Sequence, residues 1–299
     1  MNNEVASSIK STTQFYGHMG GAVRIVGALL RGAEWLGPWC AVPFAQQVFL
    51  TPLPLQWFQK RRAWERTWKI ETVAFERASI TLYSHPGAAA DAKSVLLVHG
   101  WGGGATQMLP IAKALVAQGF APIILELPAH GRNRGVTTVL PQIARALDFS
   151  LTHLSQNGTE IAALIGHSAG AAACAFVAAK RAQPMKLVMI AAPENMQQYT
   201  EWFAQIFRLR ESTRAAMQQR IEAQQNATMQ QFGFQALAPQ LQCPSLLVHD
   251  AGDPLHASAS ARAFAEKIAN GQFFETTGLG HTKILRDPAV GERIAGFLT

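Results

Sequence analysis

Several features that define other protein classes are scarce in this 299-residue sequence. The three cysteines, Cys40, Cys174 and Cys243, are odd in number, far apart and without metal-ligand spacing, which argues against a disulfide framework or a metal site. Charged residues make up 15% of the chain and hydrophobic residues 48%, which argues against disorder. We therefore expect a globular protein of the reducing cytoplasm whose three thiols are small buried apolar groups.

Membrane-targeting signals are also missing. Met1 to Lys10 has no basic stretch followed by an apolar core, so we expect no secretory signal. The uncharged run from Trp35 to Gln59 is broken by four prolines, at positions 38, 43, 52 and 54, and should not cross a membrane. We interpret its part from Pro38 to Trp57 as a strap, rich in proline and aromatic residues, that runs over the domain.

The net charge is +7 and the pI is near 9.6, but the basic residues are scattered. Lys60-Arg61-Arg62 is the tightest cluster, and no nucleic-acid-binding module is recognisable. We expect no nucleic-acid partner and interpret the charge mainly as a solubility feature, with attraction to an anionic surface as the alternative. Nothing in the sequence indicates an oligomeric state.

Apolar residues recur at helical spacing from His18 to Leu36, with Arg24 and Arg31 on the opposite face. The interpretation that we favour is a helix packed on the main domain or on a partner. A membrane-surface contact through residues 18–58 is the alternative. We assign residues 1–67 to a helical and proline-rich extension packed on the body, and residues 68–299 to the main domain.

The main domain begins with two antiparallel strands between Lys69 and Tyr83 and then alternates strands with helices. The near-continuous apolar strands predict a mostly parallel α/β sheet that is covered by helices on both faces. A helical insertion, residues 193–240, interrupts the alternation. The strands are expected at 94–98, 122–125, 161–165, 187–190, 245–248 and 272–275, and the helices at 106–118, 138–155, 169–181, 258–269 and 283–298.

The stretch Gly166-His-Ser-Ala-Gly170 follows a predicted strand and precedes a predicted helix. This spacing fits a nucleophile elbow, in which Ser168 stands on a tight turn and small flanking residues let the strand approach the helix. The bland alternative is a Gly/Ser turn without chemistry. His167 is adjacent to the serine; its side chain points away from it, so we do not expect it to be the base.

Two further loops follow predicted strands, where ligands of parallel sheets bind. His99-Gly-Trp-Gly-Gly-Gly104 lacks both nucleotide-binding glycine spacings, so we expect the Trp101 and Ala169 N–H groups to form an oxyanion hole. His99 is interpreted as bracing this loop. The loop after residue 248 contains two acids, of which Asp253 lies deeper and is the candidate partner of a histidine, while Asp250 braces the turn.

His281 lies in a glycine-flanked loop before the last helix, and Ser168, Asp253 and His281 occur in that chain order. These motifs resemble those of the α/β-hydrolase superfamily over roughly residues 68–299. The loop Leu127–Gly135 resembles the family's D-x-P-G-H-G-x-S loop, with Glu126 and Ala129 as departures and His130 as a stabilising residue. The resemblance implies a doubly wound α/β-hydrolase sheet with a helical lid insertion and an extra N-terminal helical segment.

The resemblance also implies a serine hydrolase with Ser168 as nucleophile, His281 as base and Asp253 as acid, without metal or organic cofactor. We expect a carboxylic ester as the small-molecule substrate. Thioester, lactone or amide hydrolysis and acyl transfer use the same residues, and a non-catalytic binding protein on this fold is the alternative of a different class. The substrate-binding candidates are Trp101, His167, Trp202, Phe203 and Ile206; the aromatic residues of the insertion either roof an acyl pocket or only pack the lid.

Overall fold

The computed structural model describes residues 20–52, 64–87, 91–181 and 185–299. Internal contacts divide the chain into two compact units. The first, which we call the helical unit, holds the described residues up to Thr51 together with Asn195–Gln231. The second, the sheet unit, holds the described residues of Pro52–Glu194 and Phe232–Thr299. The N-terminal helices are thus grouped with the inserted helices, a different division from that expected at residues 67 and 68.

Eight strands of the sheet unit form a single sheet in the order β1-β2-β4-β3-β5-β6-β7-β8. The pairs β1–β2 and β2–β4 are antiparallel and all other neighbours are parallel, which confirms the expected mostly parallel sheet. The strands are β1 (Lys69–Phe75), β2 (Ala78–Ser84), β3 (Ser94–Val98), β4 (Ala121–Glu126), β5 (Ile161–His167), β6 (Lys186–Ile190), β7 (Ser245–Asp250) and β8 (Gly271–Thr276).

The order in which strands are added to the sheet reverses between the parallel strands β3 and β5. The connection after β3 leads to β4 on one side, and the connection after β5 leads to β6 on the other. Parallel sheets leave a crevice at such a point, beyond the carboxyl ends of the two strands. All six residues of β7 and the last five residues of β4 and β5 are buried, as expected for apolar strands covered on both faces. The sheet therefore presents the ends of β3 and β5 side by side.

Helices connect the strands of the sheet unit and make up most of the described part of the helical unit. Apart from the last one, the predicted helices are present with shifts of a few residues at their ends. The helices are α1 (Gly20–Leu36), α2 (Pro38–Phe49), α3 (Leu109–Ala117), α4 (Leu140–Gln156), α5 (Ala169–Lys180), α6 (Gln197–Phe207), α7 (Glu211–Gln225), α8 (Phe234–Leu237), α9 (Ser258–Lys267), α10 (Gly280–Lys283) and α11 (Pro288–Leu298).

The C-terminal helix expected from Lys283 to Leu298 is wrong in one respect, because the structure divides it in two. The chain leaves the helix after α10 and a short 3₁₀ turn, and restarts at α11. Asp287 is the N-cap of α11, and its side chain accepts a hydrogen bond from the Val290 N–H at 3.3 Å. Pro288 occupies the first helical position, where its missing N–H costs nothing. The Asp-Pro dipeptide therefore marks a helix start.

The expected strap from Pro38 to Trp57 is also wrong over its first part, because residues 38–49 form the regular helix α2. Pro38 stands at the first helical position and is compatible with a helix. Pro43 lies inside α2 and removes one backbone hydrogen bond, which packing of the buried Ala41, Val42 and Ala45 compensates. Residues 18 and 19, the strap residues 53–57 and the Lys60-Arg61-Arg62 cluster lie outside the described residues.

Within the helical unit, α1 and α2 pack against α6 and α7. Phe203 of α6 is buried, and its ring lies 5.3 Å from that of Phe49 and 4.8 Å from that of Phe207. Polar contacts add to this core. The Glu34 carboxylate accepts hydrogen bonds from the Arg210 N–H at 2.9 Å and the Thr213 hydroxyl at 2.6 Å. The N-terminal segment and the insertion therefore share one core.

The structure also shows the surroundings of the three cysteines and bears on the expectations about membrane spans and metal sites. Cys174 is buried, but Cys40 and Cys243 are half-buried, which corrects the expectation of three buried thiols; all three are free. Among the described residues, no helix combines the length and the apolar character needed to cross a membrane. In the same ranges, no group of three or more histidine, cysteine, aspartate or glutamate side chains is placed to hold a metal ion.

Candidate active site

Ser168 occupies the sharp turn between β5 and α5. Its φ of 53° and ψ of −123° lie in a backbone region that residues other than glycine rarely adopt. The Ser168 N–H donates to the Ile190 carbonyl at the end of β6, at 2.9 Å, and the Ser168 carbonyl accepts from the Ala171 N–H at 2.8 Å. These bonds hold the strained turn in place. A serine in this position has the backbone geometry of a nucleophile elbow.

The two glycines of the pentapeptide are required by close packing. A Cβ at position 166 would lie 2.4 Å from the Cα of Ala171, and a Cβ at position 170 would lie 2.5 Å from the carbonyl oxygens of Val98 and His99. Real Cβ atoms do not approach backbone this closely. Helix α5 can therefore pack against β5 and β3 only because neither position carries a side chain.

The glycine-rich loop after β3 passes beside the elbow. A Cβ at Gly100 would lie 3.0 Å from the Ser168 Cβ, so the loop backbone runs directly over the serine. Trp101 follows Gly100 in this loop and is half-buried. Ala169 is the first residue of α5, where N–H groups have no carbonyl partner within the helix. Both residues singled out as oxyanion donors thus belong to segments that border Ser168.

Two buried histidines hold the glycine-rich loop. Nε2 of His130 accepts from the Gly102 N–H at 3.0 Å, and its Nδ1 lies 2.9 Å from the Pro128 carbonyl. His99 bonds in the same manner, with Nδ1 2.8 Å from the Gly100 carbonyl and Nε2 accepting from the Leu127 N–H at 3.2 Å. Burial lowers the pKa of His130 to about 4 and, with the neighbouring His130, holds the pKa of His99 well below its usual range. Both rings are therefore neutral bracing groups.

His281 and Asp253 form a direct pair. Nδ1 of His281 lies 2.8 Å from Oδ2 of Asp253. A carboxylate can only accept, so this nitrogen carries the proton. The Asp253 side chain is fully buried and that of His281 is 11% exposed. The pair leaves Nε2 of His281 for another partner, which is the tautomer that a histidine base of a serine hydrolase needs.

Asp253 is held by more than His281. Its Oδ1 accepts from the Leu255 N–H at 2.8 Å. Nε2 of His249 lies 3.4 Å from Oδ2 of Asp253 and 3.1 Å from the His256 carbonyl, so this nitrogen also carries its proton. Burial alone would raise the pKa of Asp253, but hydrogen bonds from His249 and His281 outweigh it and hold that pKa well below its usual range. The carboxylate is ionised in a fixed orientation.

Asp250 has a different set of partners. Its Oδ2 accepts from the Thr276 hydroxyl at 2.8 Å and the Leu279 N–H at 3.0 Å, and its Oδ1 accepts from the Gly252 N–H at 2.9 Å. Burial would raise the pKa of Asp250, but these bonds and one from the Gly280 N–H lower it. Asp250 therefore joins the loop after β7 to the loop that carries His281. The structure thus assigns different partners to the two acids between which the sequence offered a choice.

His167, on the residue before Ser168, contacts the histidine loop. Its Nε2 lies 2.8 Å from the backbone oxygen of His281, and the two rings are 4.9 Å apart. Nδ1 of His167 is buried and finds no hydrogen-bond partner among the described residues. Burial, followed by the charge of His281, lowers the pKa of His167 to about 3. This neutral ring connects the elbow to the loop of His281.

Sequence reasoning missed the roles of three residues. Glu126, noted only as a departure from the family loop, is buried and accepts from the Tyr83 hydroxyl and the Arg132 N–H, both at 3.0 Å. His249 and His256 were not assigned functions, yet both rings lie beside the Asp253–His281 pair. The spacing of His249 four residues before Asp253 was the available signal. Ala129, the second departure, adopts a φ of 62°, a conformation that glycine adopts at lower cost.

The remaining substrate-binding candidates lie in the helical unit. Phe203 is buried against Phe49 and Phe207, and Trp202 is half-buried with its ring 5.2 Å from that of Tyr199. Ile206 is half-buried on the same helix. Trp101 and His167 lie in the sheet unit, close to Ser168. A role of these five residues in substrate binding stays a prediction.

The structure combines a mostly parallel sheet, a strained serine after β5 and a buried aspartate–histidine pair after β7 and β8. These features define a class of enzymes, and the comparison with protein families identifies that class. A model of the alpha/beta hydrolase family matches residues 95–291. The chain belongs to this family. No curated protein sequence matches the chain significantly.

Solved structures show the same fold at low sequence identity. An esterase from Pyrococcus furiosus is 17% identical with a TM-score of 0.62, over 79% of this chain and 93% of the other. A thioesterase domain from the curacin biosynthetic pathway is 15% identical with a TM-score of 0.55, over 78% and 99%. A membrane phospholipase A, described as a bacterial virulence factor, is 14% identical with a TM-score of 0.58, over 93% and 96%. These neighbours show that the chain has the fold of known hydrolases, and the family membership supports hydrolase activity.

Proposed function

We propose that the protein is a serine hydrolase that cleaves carboxylic esters through an acyl-enzyme on Ser168. The observation that carries this proposal is the 2.8 Å contact between Nδ1 of His281 and Oδ2 of Asp253, in a loop bonded to the elbow of Ser168. In serine hydrolases, a buried carboxylate fixes the tautomer of a histidine, and that histidine takes the proton of the nucleophilic serine.

In this proposal, Oγ of Ser168 attacks the ester carbonyl while Nε2 of His281 accepts the hydroxyl proton. Asp253 stabilises the imidazolium that forms and does not take up the proton itself. His281 then protonates the departing alkoxide, and the alcohol leaves. Water enters, gives a proton to His281 and attacks the acyl-enzyme, so the acid is released and Ser168 regains its proton.

The N–H groups of Trp101 and Ala169 are proposed to bind the oxyanion. Gly100 brings the first segment against Ser168, and Ala169 begins α5, whose N-terminal dipole end favours negative charge. His130 supports this arrangement by accepting from the Gly102 N–H at 3.0 Å, which fixes the next peptide of the loop. Donors that are already oriented before the charge develops require no reorganisation during the reaction.

The proposed substrate is an ester, because an alkoxide leaves more readily than an amine from the tetrahedral intermediate. The inserted helices are proposed to act as a lid, with Trp202, Phe203 and Ile206 contributing apolar surface. Neither the ester preference nor the lid identifies the acyl group or the alcohol group of the substrate. A chain-length series therefore has to be part of any test.

The experiment uses p-nitrophenyl esters of rising acyl length with the wild type and with Ser168→Ala. We expect hydrolysis by the wild type and a loss of about 10⁶-fold in kcat for the variant. A fluorophosphonate probe should label the wild type at Ser168 and leave the variant unlabelled. Thioester and lactone substrates measured in parallel report the preferred bond.

Ser168→Thr serves as a matched control, because it keeps a hydroxyl but crowds the turn. Hydrolysis that survives in Ser168→Ala would refute the nucleophile. A wild type that neither hydrolyses any member of the series nor reacts with the probe would favour a binding protein on this fold.

A further inference from the structure

The helical unit carries an unusual concentration of exposed apolar side chains. Of the seven large hydrophobic residues that are exposed among the described residues, five lie between positions 25 and 39. Single exposed hydrophobic residues are common, but a contiguous group on one element indicates a binding surface. The five are Ile25 (65% exposed), Leu29 (57%), Trp35 (86%), Leu36 (66%) and Trp39 (76%).

These side chains form one stripe on α1. Ile25, Leu29 and Leu36 follow each other after four and seven residues, which places them on a single helix face. Gly32 continues this face between Leu29 and Leu36. Trp35 borders it, and Trp39 extends it onto the first turn of α2. The stripe therefore runs along one side of the helix, parallel to its axis.

The opposite side of α1 is already occupied by the helical unit itself. Leu30 and Ala33 are buried. Glu34 is bound to the Arg210 N–H and the Thr213 hydroxyl of the inserted segment. The apolar spacing from residue 18 to residue 36 therefore does not describe one buried face. It divides between an inner face and an exposed one.

The charges around the stripe are of one sign. The charged side chains of α1 and α2 are Arg24, Arg31 and Glu34. Glu34 is taken up by the inner contacts, and the Arg31 guanidinium donates to the Phe207 carbonyl at 3.2 Å, whereas Arg24 is exposed directly before Ile25 of the stripe. An apolar strip with exposed tryptophans and an arginine border is complementary to the acyl region, the interface and the phosphates of a phospholipid leaflet.

We propose that α1 and the first turn of α2 dock the protein on a phospholipid surface, with α1 lying in the plane of the membrane. Ile25, Leu29 and Leu36 enter the acyl boundary, Trp35 and Trp39 lie at the headgroup level, and Arg24 contacts lipid phosphates. A second copy of this chain could cover the stripe with its own stripe, but the positive charges beside the two stripes would then repel each other. The charge pattern therefore favours lipid over a dimer.

The test is co-sedimentation with vesicles of phosphatidylcholine alone and of phosphatidylcholine mixed with phosphatidylglycerol. The wild type should bind both and bind the anionic vesicles more tightly. Ile25→Gln combined with Leu29→Gln should weaken binding to both by at least about tenfold, because two apolar side chains no longer gain from burial. Arg24→Gln should weaken binding to the anionic vesicles and leave the neutral ones unaffected.

Val136→Gln is the matched control, because Val136 is 67% exposed but belongs to the sheet unit. It should bind like the wild type. Trp35→Phe combined with Trp39→Phe gives an independent measurement, since brominated lipids should quench the tryptophan fluorescence of the wild type much more than that of this variant. Unchanged thermal unfolding of all variants excludes misfolding as the cause of weaker binding.

Three results would overturn the proposal. The first is a wild type that does not sediment with either vesicle. The second is equal binding by the wild type and by Ile25→Gln/Leu29→Gln. The third is a wild-type dimer that the same substitutions dissociate, without vesicle binding, because a second copy would then cover the stripe. None of these measurements depends on the proposed ester hydrolysis.

Discussion

Nε2 of His167 donates a hydrogen bond of 2.8 Å to the backbone oxygen of His281. The residue that precedes the proposed nucleophile is thus bonded to the residue that carries the proposed base. This bond joins the end of β5 to the short helix α10 after β8, where the sequence predicted a loop, and β6 and β7 separate β5 from β8 in the sheet. We therefore expect His167 to act as a positioning residue, because its side chain bonds to the backbone of His281.

Removing the His167 side chain should reduce turnover more than substrate binding. We expect His167→Ala to lower kcat by about tenfold to a hundredfold with little change in KM, because a small displacement of the base disturbs the proton transfer. His167→Gln keeps a donor and should recover part of kcat. The check is steady-state kinetics on a p-nitrophenyl ester. Equal kcat values for Ala, Gln and wild type would contradict the positioning role.

The two acids after β7 should respond differently to the same substitution. Asp253→Asn places an amide against Nδ1 of His281 and favours the wrong tautomer, so kcat should fall by about 10⁴-fold. Asp250→Asn puts an amide among the three hydrogen bonds that it accepts, so it should cost about 1–3 kcal/mol of unfolding free energy and less than about tenfold in kcat. Kinetics and urea unfolding of both variants are the measurements. Exchanged effects would reverse the assignment.

The glycines of the elbow should tolerate no side chain. Gly166→Ala and Gly170→Ala each bring a Cβ within 2.5 Å of backbone atoms, so each should lower the unfolding free energy by at least about 3 kcal/mol. Gly296→Ala is the control, because position 296 lies in α11 with no atom within 4 Å of the added Cβ. It should raise stability by about 0.5–1 kcal/mol. Denaturant unfolding distinguishes these outcomes; comparable stabilities for all three variants would be inconsistent with the close packing.

Stability should fall on mild acidification because several histidines are buried in the neutral form. Burial lowers the pKa of His130 to about 4 and the pKa values of His167 and His256 to about 3, below the ordinary value of about 6.5. The unfolded chain therefore binds more protons between these limits. The stabilising contribution is complete above pH 6.5 and is lost progressively as the pH falls from there to the folded pKa values, with roughly 2 kcal/mol per histidine lost by pH 5.

The check is urea unfolding of the wild type and His130→Gln at pH 7 and pH 5. Gln keeps an acceptor for the Gly102 N–H but does not titrate. The difference in unfolding free energy between the two pH values should be smaller for the variant by about 2 kcal/mol. Equal differences would show that His130 is not held neutral by the fold.

The sheet was predictable from the sequence because its signals are local. Buried strands such as Ser94–Val98 are short apolar runs, and each is bounded by residues that end a strand, so their positions and the parallel order follow. The strap expected from Pro38 is wrong because Pro38 stands at a first helical position, where a proline is compatible with a helix. The expected C-terminal helix is too long because the apolar periodicity continues across the helix start at Asp287-Pro288.

The candidate site was predictable where one residue type and one spacing carry the chemistry, as for Ser168 between its two glycines. Contacts across the sheet were not predictable. Neither the bond from His167 to the His281 backbone nor the contact of His249 with Asp253 leaves a local trace, because each joins loops that only the fold brings together. The grouping of α1 with α6 is hidden for the same reason, since it depends on contacts over more than 150 residues.

The order of synthesis matters for a core built from two distant segments. Helices α1 and α2 leave the ribosome first, but α6 follows α2 only after nearly 150 further residues. At about 5–20 residues per second, the first two helices wait about 7–30 s for their partners. During that interval Leu30, Phe49 and the stripe of α1 are all without cover. The nascent chain therefore exposes the apolar surfaces of α1 and α2 for the time that it takes to make most of the sheet, and chaperone binding during translation should concentrate there.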